Sequence, residues 1–143
     1  FKPKPRFAQG FFVPSPAGAA IAAGQLMTQP SLEARGGARV MLDDALGAGF
    51  AILVWAQRMD ALRVAWPANT RCIAVLRREE DFLPTDSTET VLRDVSGEIA
   101  RVLDSAGASA VVLRPDRYVF AYAADRGELA HALALAVGPS MQA

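Results

Sequence analysis

Few residues in the sequence have intrinsic chemistry, and they do not come in working combinations. There is one cysteine, Cys72, and one histidine, His131. A disulfide or dithiol relay needs a second thiol, and a thiolate–imidazole zinc centre needs about four ligands. Cys72 opens the apolar run 72–76 and reads as a buried structural thiol, since a free cysteine behaves as a small hydrophobe. His131 falls off the Leu129/Leu133 stripe of its helix and reads as a surface or interface residue. The adjacent acids Asp43 and Asp44 are a possible catalytic or cation-holding pair. With no histidine or third acid nearby in sequence, they read better as a capped turn over 43–47 that enters a strand. Gly47-Ala48-Gly49 resembles part of a dinucleotide-binding Gly-x-Gly-x-x-Gly loop. It precedes a strand where such a loop must follow one and open a helix, so it reads as a turn. Arg77-Arg78 with Glu79-Glu80-Asp81 reads as a solvated, self-neutralising connection. Arg114 and Arg117 flank a turn and could grip an anion, but pairing with Asp116 is the simpler reading. No catalytic residue, no cofactor-binding residue and no metal ligand is assigned anywhere in the chain.

The elements that would position these residues follow from periodicity. Residues 50–56 form a continuous apolar run between Gly49 and the polar Gln57, the pattern of a strand buried on both faces. Met59, Leu62 and Ala65 recur at helical spacing over 57–65, and Trp66-Pro67 would end that helix. Residues 72–76 form a second buried strand. Residues 77–86 read as a charged connection. Residues 90–94 read as extended in preference to a helix capped from Asp86 and Glu89, because Ser96-Gly97 interrupts the helical pattern. A helix follows over 98–105, with Ile99, Val102 and Leu103 on one face and Gly107 as its stop. Residues 110–113 and 118–122 read as a hairpin, with Pro115 and Asp116 at the central turn positions. The last helix covers 126–137, capped by Asp125 with Glu128 completing the box and stopped by Gly138-Pro139. This order gives an α/β fold of thioredoxin-like type: a mixed sheet with helices on both faces. Such a fold does redox work with Cys-x-x-Cys at the start of its first helix. Here that place holds Ala56-Gln57-Arg58-Met59, so redox chemistry is excluded.

Composition bounds the rest. The 143 residues carry 15 basic and 15 acidic side chains, which lacks the positive excess of a nucleic-acid binder. No apolar stretch approaches the roughly 20 residues that cross a bilayer. The prolines near the N-terminus break any signal-peptide helix, so a cytoplasmic location is expected. Residues 1–40 hold five basic groups against one acid, and the remainder holds 10 against 14. Residues 1–39 contain Pro3, Pro5, Pro14, Pro16, Pro30 and Gly36-Gly37 with no sustained period. They read as an extended Pro-rich N-terminal arm or linker ahead of a domain over 40–143. The absence of an initiator Met suggests a start in the middle of a larger polypeptide.

Four strings, in order along the chain, resemble one family. Phe1-Lys2-Pro3-Lys4-Pro5-Arg6-Phe7 with Gly10 resembles a linker that follows a flavin domain. Met27-Thr28-Gln29-Pro30 resembles a Pro-Gln-Pro stretch. Leu42-Asp43-Asp44-Ala45-Leu46-Gly47-Ala48-Gly49-Phe50 and Val112-Leu113-Arg114-Pro115-Asp116-Arg117-Tyr118-Val119 resemble two further family motifs. Together they resemble the C-terminal domain of FAD-dependent aromatic-ring hydroxylases of the phenol hydroxylase type, nearest the 3-(3-hydroxyphenyl)propionate branch. The resemblance implies a parent monooxygenase that binds FAD upstream and uses NAD(P)H and O2 to hydroxylate a phenolic ring. It implies that the residues here form a thioredoxin-like tail without redox cysteines, a structural or dimerisation module. Its partners would be the upstream flavin and substrate domain of the same polypeptide and a second copy, with no nucleic acid and no membrane. Two other classes stay open: a stand-alone small-molecule-binding or peroxiredoxin-like domain, and a protein-interaction module working through the arm.

Overall fold

The computed structural model describes residues 12–82 and 90–142, with side chains up to residue 136. Along the chain come β1 (Ser31–Ala34), β2 (Arg39–Met41), α1 (Leu42–Leu46) and β3 (Ala51–Trp55). A 3-10 turn (Ala56–Arg58), β4 (Arg71–Leu76), β5 (Thr90–Arg93) and α2 (Glu98–Ser105) follow, then β6 (Ala110–Leu113), β7 (Val119–Ala123) and α3 (Arg126–Gln142).

Parity within β3 explains the layering. Ala51, Leu53 and Trp55 join one apolar cluster, and Ile52 and Val54 join another. Successive side chains on a strand point to opposite faces, so a strand apolar at every position must be covered on both sides. The cover on the first face is α2 through Ile99, Val102 and Leu103, together with Leu42, Ala45 and Leu46 of α1. The cover on the second is α3 through Leu129, Ala132 and Leu133, with Met59 and Leu62.

The strands lie in the order β2-β1-β5-β4-β3-β6-β7. β3 and β4 are parallel, and β4 and β5 are parallel. β6 is antiparallel to β3, and β7 to β6. The group β4-β3-β6-β7, flanked by helices on both faces, is the thioredoxin-like arrangement expected. The β6–β7 register shifts beside Val112 and Leu113, pairing Val112 with Ala121 but Leu113 with Val119. The extra residue, Phe120, turns onto the α3 face with Ala121.

Four local expectations are corrected. Residues 31–34 and 39–41 are strands, so the end of the expected arm belongs to the sheet. A hairpin turning at Gly36-Gly37, both at positive φ, pairs β1 with β2, and β1 then lies antiparallel to β5. Strands of four and three residues are too short to show a period. The helix expected over 57–65 is a single 3-10 turn followed by further turns. Met59 and Leu62 are buried, yet two apolar residues before a proline do not offset the cost of helix nucleation. The turn expected at 43–47 is the short helix α1, with Asp43 and Asp44 favourably placed in its first turn. Finally, α3 continues through Gly138-Pro139 to Gln142. Proline has a helix-compatible φ, and its missing N–H costs one hydrogen bond near the helix end. The alternative cap from Asp86 and Glu89 lies outside the described residues.

Candidate functional site

The place where a thioredoxin-like fold keeps its thiols is the end of β3. Here the chain passes from Trp55 into the 3-10 turn without a cysteine. Arg77, leaving β4, lays its guanidinium 4.0 Å from the centre of the Trp55 ring. It also donates to both carboxylate oxygens of Asp104 at 3.1 and 3.0 Å. The Arg58 Nε–H donates to Ser109 Oγ at 3.3 Å. These groups line a cleft of about 260 Å³. An arginine that is stacked and bidentate is held by planar geometry as well as by charge. Asp104 and Glu80 both raise the Arg77 pKa, the Asp104 hydrogen bond most, so the cation persists throughout the working range. The expected self-neutralising loop is therefore corrected. Glu80 does accept the Arg77 backbone N–H at 2.6 Å, but the guanidinium reaches across to α2.

Cys72 is half-buried and pairs in register with Ile52 near the start of β3. Trp55 stands three residues further on, about 10 Å away along the strand. The thiol thus sits at the opposite end of the sheet from the redox position of the fold. His131 is exposed on α3, as expected of a surface residue.

The tertiary structure joins two strings that are far apart in sequence. The hairpin turn closes with the Arg117 N–H donating to the Arg114 carbonyl at 2.8 Å, with Pro115 and Asp116 in its centre as expected. Arg114 is 2% exposed, pairs with Asp116 and lies 5.4 Å from the Tyr118 ring centre. Arg117 does not pair with Asp116. Its Nε–H donates to Asp43 Oδ1 at 2.6 Å. Its Nη2 donates to the Asp43 carbonyl at 3.2 Å and the Gly47 carbonyl at 2.7 Å. The side chain thereby satisfies one carbonyl within α1 and that of Gly47, the residue that ends it. The guanidiniums flanking the turn are committed to the fold, and the anion-gripping reading is not needed.

Gly47-Ala48-Gly49 has a structural reason of its own. Gly47 sits at φ +75, and a Cβ on Gly49 would lie 2.4 Å from the Asn69 carbonyl oxygen. Only glycine fits that approach. The three residues border a cleft of about 480 Å³ with Asn69, Thr70 and Arg71, and Arg71 Nη1 donates to the Ala45 carbonyl at 3.2 Å. The run follows α1 and precedes β3. Among the described residues no glycine-rich turn leaves a strand and opens a helix, so these residues do not fit a flavin or dinucleotide phosphate.

Sequence reasoning missed Asp94. Its carboxylate is 1% exposed and accepts the Ile99 N–H at 3.2 Å and the Ala100 N–H at 2.8 Å. An acid just ahead of Ser96-Gly97 and a helical run is a readable cap signal. It also missed the pair of Arg93 and Glu33 at 2.6 Å, which ties β5 to β1.

Comparison with known proteins gives a consistent picture. A family model described as the HcaD C-terminal domain matches residues 24–136. The 3-(3-hydroxy-phenyl)propionate/3-hydroxycinnamic acid hydroxylase 2 of Burkholderia vietnamiensis (strain G4) is 34% identical over 133 residues, covering 85% of this chain and 24% of that protein. The corresponding hydroxylase of Mycobacterium sp. (strain JLS) is 34% identical over 128 residues, covering 83% and 22%. This chain therefore spans about a quarter of the length of the curated relatives it matches. Among solved structures, a conserved Bacteroides fragilis protein of unknown function aligns with a TM-score of 0.59 at 15% identity, covering 76% of this chain and 96% of that one.

Proposed function

The chain belongs to the HcaD C-terminal domain family, and on that premise we propose that it is the non-catalytic C-terminal domain of an FAD-dependent aromatic hydroxylase. The parent would hydroxylate a phenolic substrate of the 3-(3-hydroxyphenyl)propionate class with NAD(P)H and O2. FAD, NAD(P)H and substrate would be held upstream, and this domain would serve assembly, packing on the upstream region and in a homodimer. A cytoplasmic location is part of the proposal. No described helix is long and apolar enough to cross a membrane. The observation that carries the reading is the extent of the match. One-third identity runs through most of this chain and stops at a quarter of a named hydroxylase. The absence of a Cys-x-x-Cys at the end of β3 supports a structural role over a thioredoxin-type one.

The test is expression of the whole reading frame beside the 143-residue chain. The whole polypeptide is expected to purify yellow and to consume NAD(P)H and O2 with a phenolic acid. The 143 residues alone are expected to be colourless and inactive. Stoichiometric flavin on the short chain, or a frame without a flavin region, overturns the reading.

A further inference from the structure

Open α/β sheets bind ligands beyond the carboxyl ends of their strands. β3 and β4 are parallel, and Trp55 and Arg77 at their carboxyl ends line the cleft of about 260 Å³ with Arg58, Asp104 and Ser109. Arg77 is spent on the fold, stacked on Trp55 and bidentate to Asp104. Three other groups of the wall still have hydrogen bonds to give. Trp55 is 5% exposed, and its buried indole Nε1–H meets no acceptor among the described residues. Arg58 commits its Nε–H to Ser109 Oγ, and its two terminal nitrogens have no partner among the described residues. Ser109 Oγ accepts that bond, and its own proton has no acceptor among the described residues. All three are donors. A buried N–H without an acceptor costs free energy that a bound acceptor recovers. Backbone bonds hold the donors close together. The Trp55 N–H donates to the Ser109 carbonyl at 3.0 Å, and the Ser109 N–H donates to the Ala123 carbonyl at 2.9 Å. The carbonyls that end α2 are already occupied. That of Asp104 accepts the Gly107 N–H at 3.1 Å, and that of Leu103 accepts the Ala108 N–H at 3.0 Å.

We propose that this cleft is a binding site for a small carboxylate, held by the terminal nitrogens of Arg58, the Ser109 hydroxyl and the Trp55 indole N–H. The inference goes beyond the assembly role proposed above and does not depend on it. Charge, shape and size select the ligand class. Two guanidiniums and one carboxylate line the cleft, which leaves one net positive charge in its wall. Glu79 and Glu80 also act on the Arg77 charge without lining the cleft, so a dianion is disfavoured. The two coplanar oxygens of a carboxylate match the two terminal nitrogens of a guanidinium. Sites for drug-sized ligands occupy roughly 300–1,000 Å³, so this smaller cleft suits a small acid.

The test is titration of the 143-residue chain with acetate, read from the proton–nitrogen NMR signals of its two indoles, with ionic strength held constant by chloride. Trp66, the other tryptophan, lines a different groove and serves as the internal control. The Trp55 indole signal is expected to move saturably with a millimolar midpoint while the Trp66 signal stays in place. Arg58→Ala is expected to raise that midpoint at least about tenfold, the worth of one hydrogen bond to a charged group. A Trp66 signal at its wild-type position shows that the variant is folded. A Trp55 signal that stays fixed, drifts without saturating or moves together with that of Trp66 overturns the proposal, and this measurement needs no variant. An unchanged midpoint in folded Arg58→Ala also overturns it. Inorganic phosphate is the comparison ligand and is expected to bind more weakly than acetate. Tighter binding of phosphate overturns the assignment to a carboxylate.

Discussion

Tyr122 shows how one side chain links the arm to the sheet. Its ring is buried on the α2 face, and its hydroxyl donates to the Ile21 carbonyl of the arm. Burial disfavours the phenolate and pushes the pKa up to about 12, with the nearby Arg101 charge pulling more weakly the other way. In the unfolded chain the phenol ionises near its ordinary value of 10.0. The folded state therefore holds the proton more tightly, and the stability this confers is complete below pH 10. It is lost as pH rises through about 12, where the unfolded chain has already released its proton. Tyr122→Phe is expected to make stability less steep over that window, measured by denaturant unfolding at a series of alkaline pH values. An unchanged slope in the variant would show that another group governs the alkaline limb. The residue itself is plain in the sequence; its partner, 101 positions away, is not.

At the scale of elements, the structure depends on how the 114–117 turn is fastened to α1. A five-residue helix is too short to be stable alone. Arg117 holds it through two backbone carbonyls and the Asp43 carboxylate, and does so from φ +74, a region unfavourable for a side-chain-bearing residue. Arg117→Ala is expected to destabilise the chain by about 1–3 kcal/mol, since charge-assisted bonds to carbonyls are lost. Asp43 is 57% exposed. The coupling between Asp43→Ala and Arg117→Ala in a double-mutant cycle should therefore be only about 0.2–1 kcal/mol. A coupling as large as the whole Arg117→Ala effect would place the energy in the ion pair and refute a role in capping α1. Both motifs were readable in the sequence, as were the hairpin turn and the Asp125–Glu128 cap. In the latter, the Glu128 N–H donates to Asp125 Oδ1 at 2.9 Å and the Ala124 N–H to Glu128 Oε1 at 2.7 Å. That the two motifs meet was not readable, because contact between distant segments leaves no periodic trace.

For the whole molecule, the described part of the arm is a component of the fold. Ile21, Ala23 and Met27 are buried, and Val13 and residues 24–27 bond the backbone of β7 and of the turn that leads into it. The Gly24 N–H donates to the Val119 carbonyl at 2.8 Å, and the Val119 N–H to the Gln25 carbonyl at 2.8 Å. The arm thus covers one edge of the sheet that would otherwise offer unpaired backbone groups. Deleting residues 1–26 is expected to cost at least ~2 kcal/mol, the burial of Ile21 alone. For a chain of this size that lowers Tm by about 5 °C or more. Thermal melting and light scattering of the shortened chain check this. A truncated chain that melts with the full one and stays monodisperse would show the arm to be a passive linker.

The sequence by itself determined the central strands, the hairpin, the two longer helices, the thioredoxin-like order and the lack of a dithiol. Each of these is written locally, as a continuous apolar run, a cap, a turn dipeptide or a residue type. The tertiary structure alone decided that residues 31–41 join the sheet, that α3 runs past Gly138-Pro139, and that Arg77 leaves its charged loop for Trp55 and Asp104. It alone decided which side of α3 stays uncovered. These depend on what lies opposite in space. A short strand is stabilised by its neighbours in the sheet, and an arginine by the carboxylate it reaches.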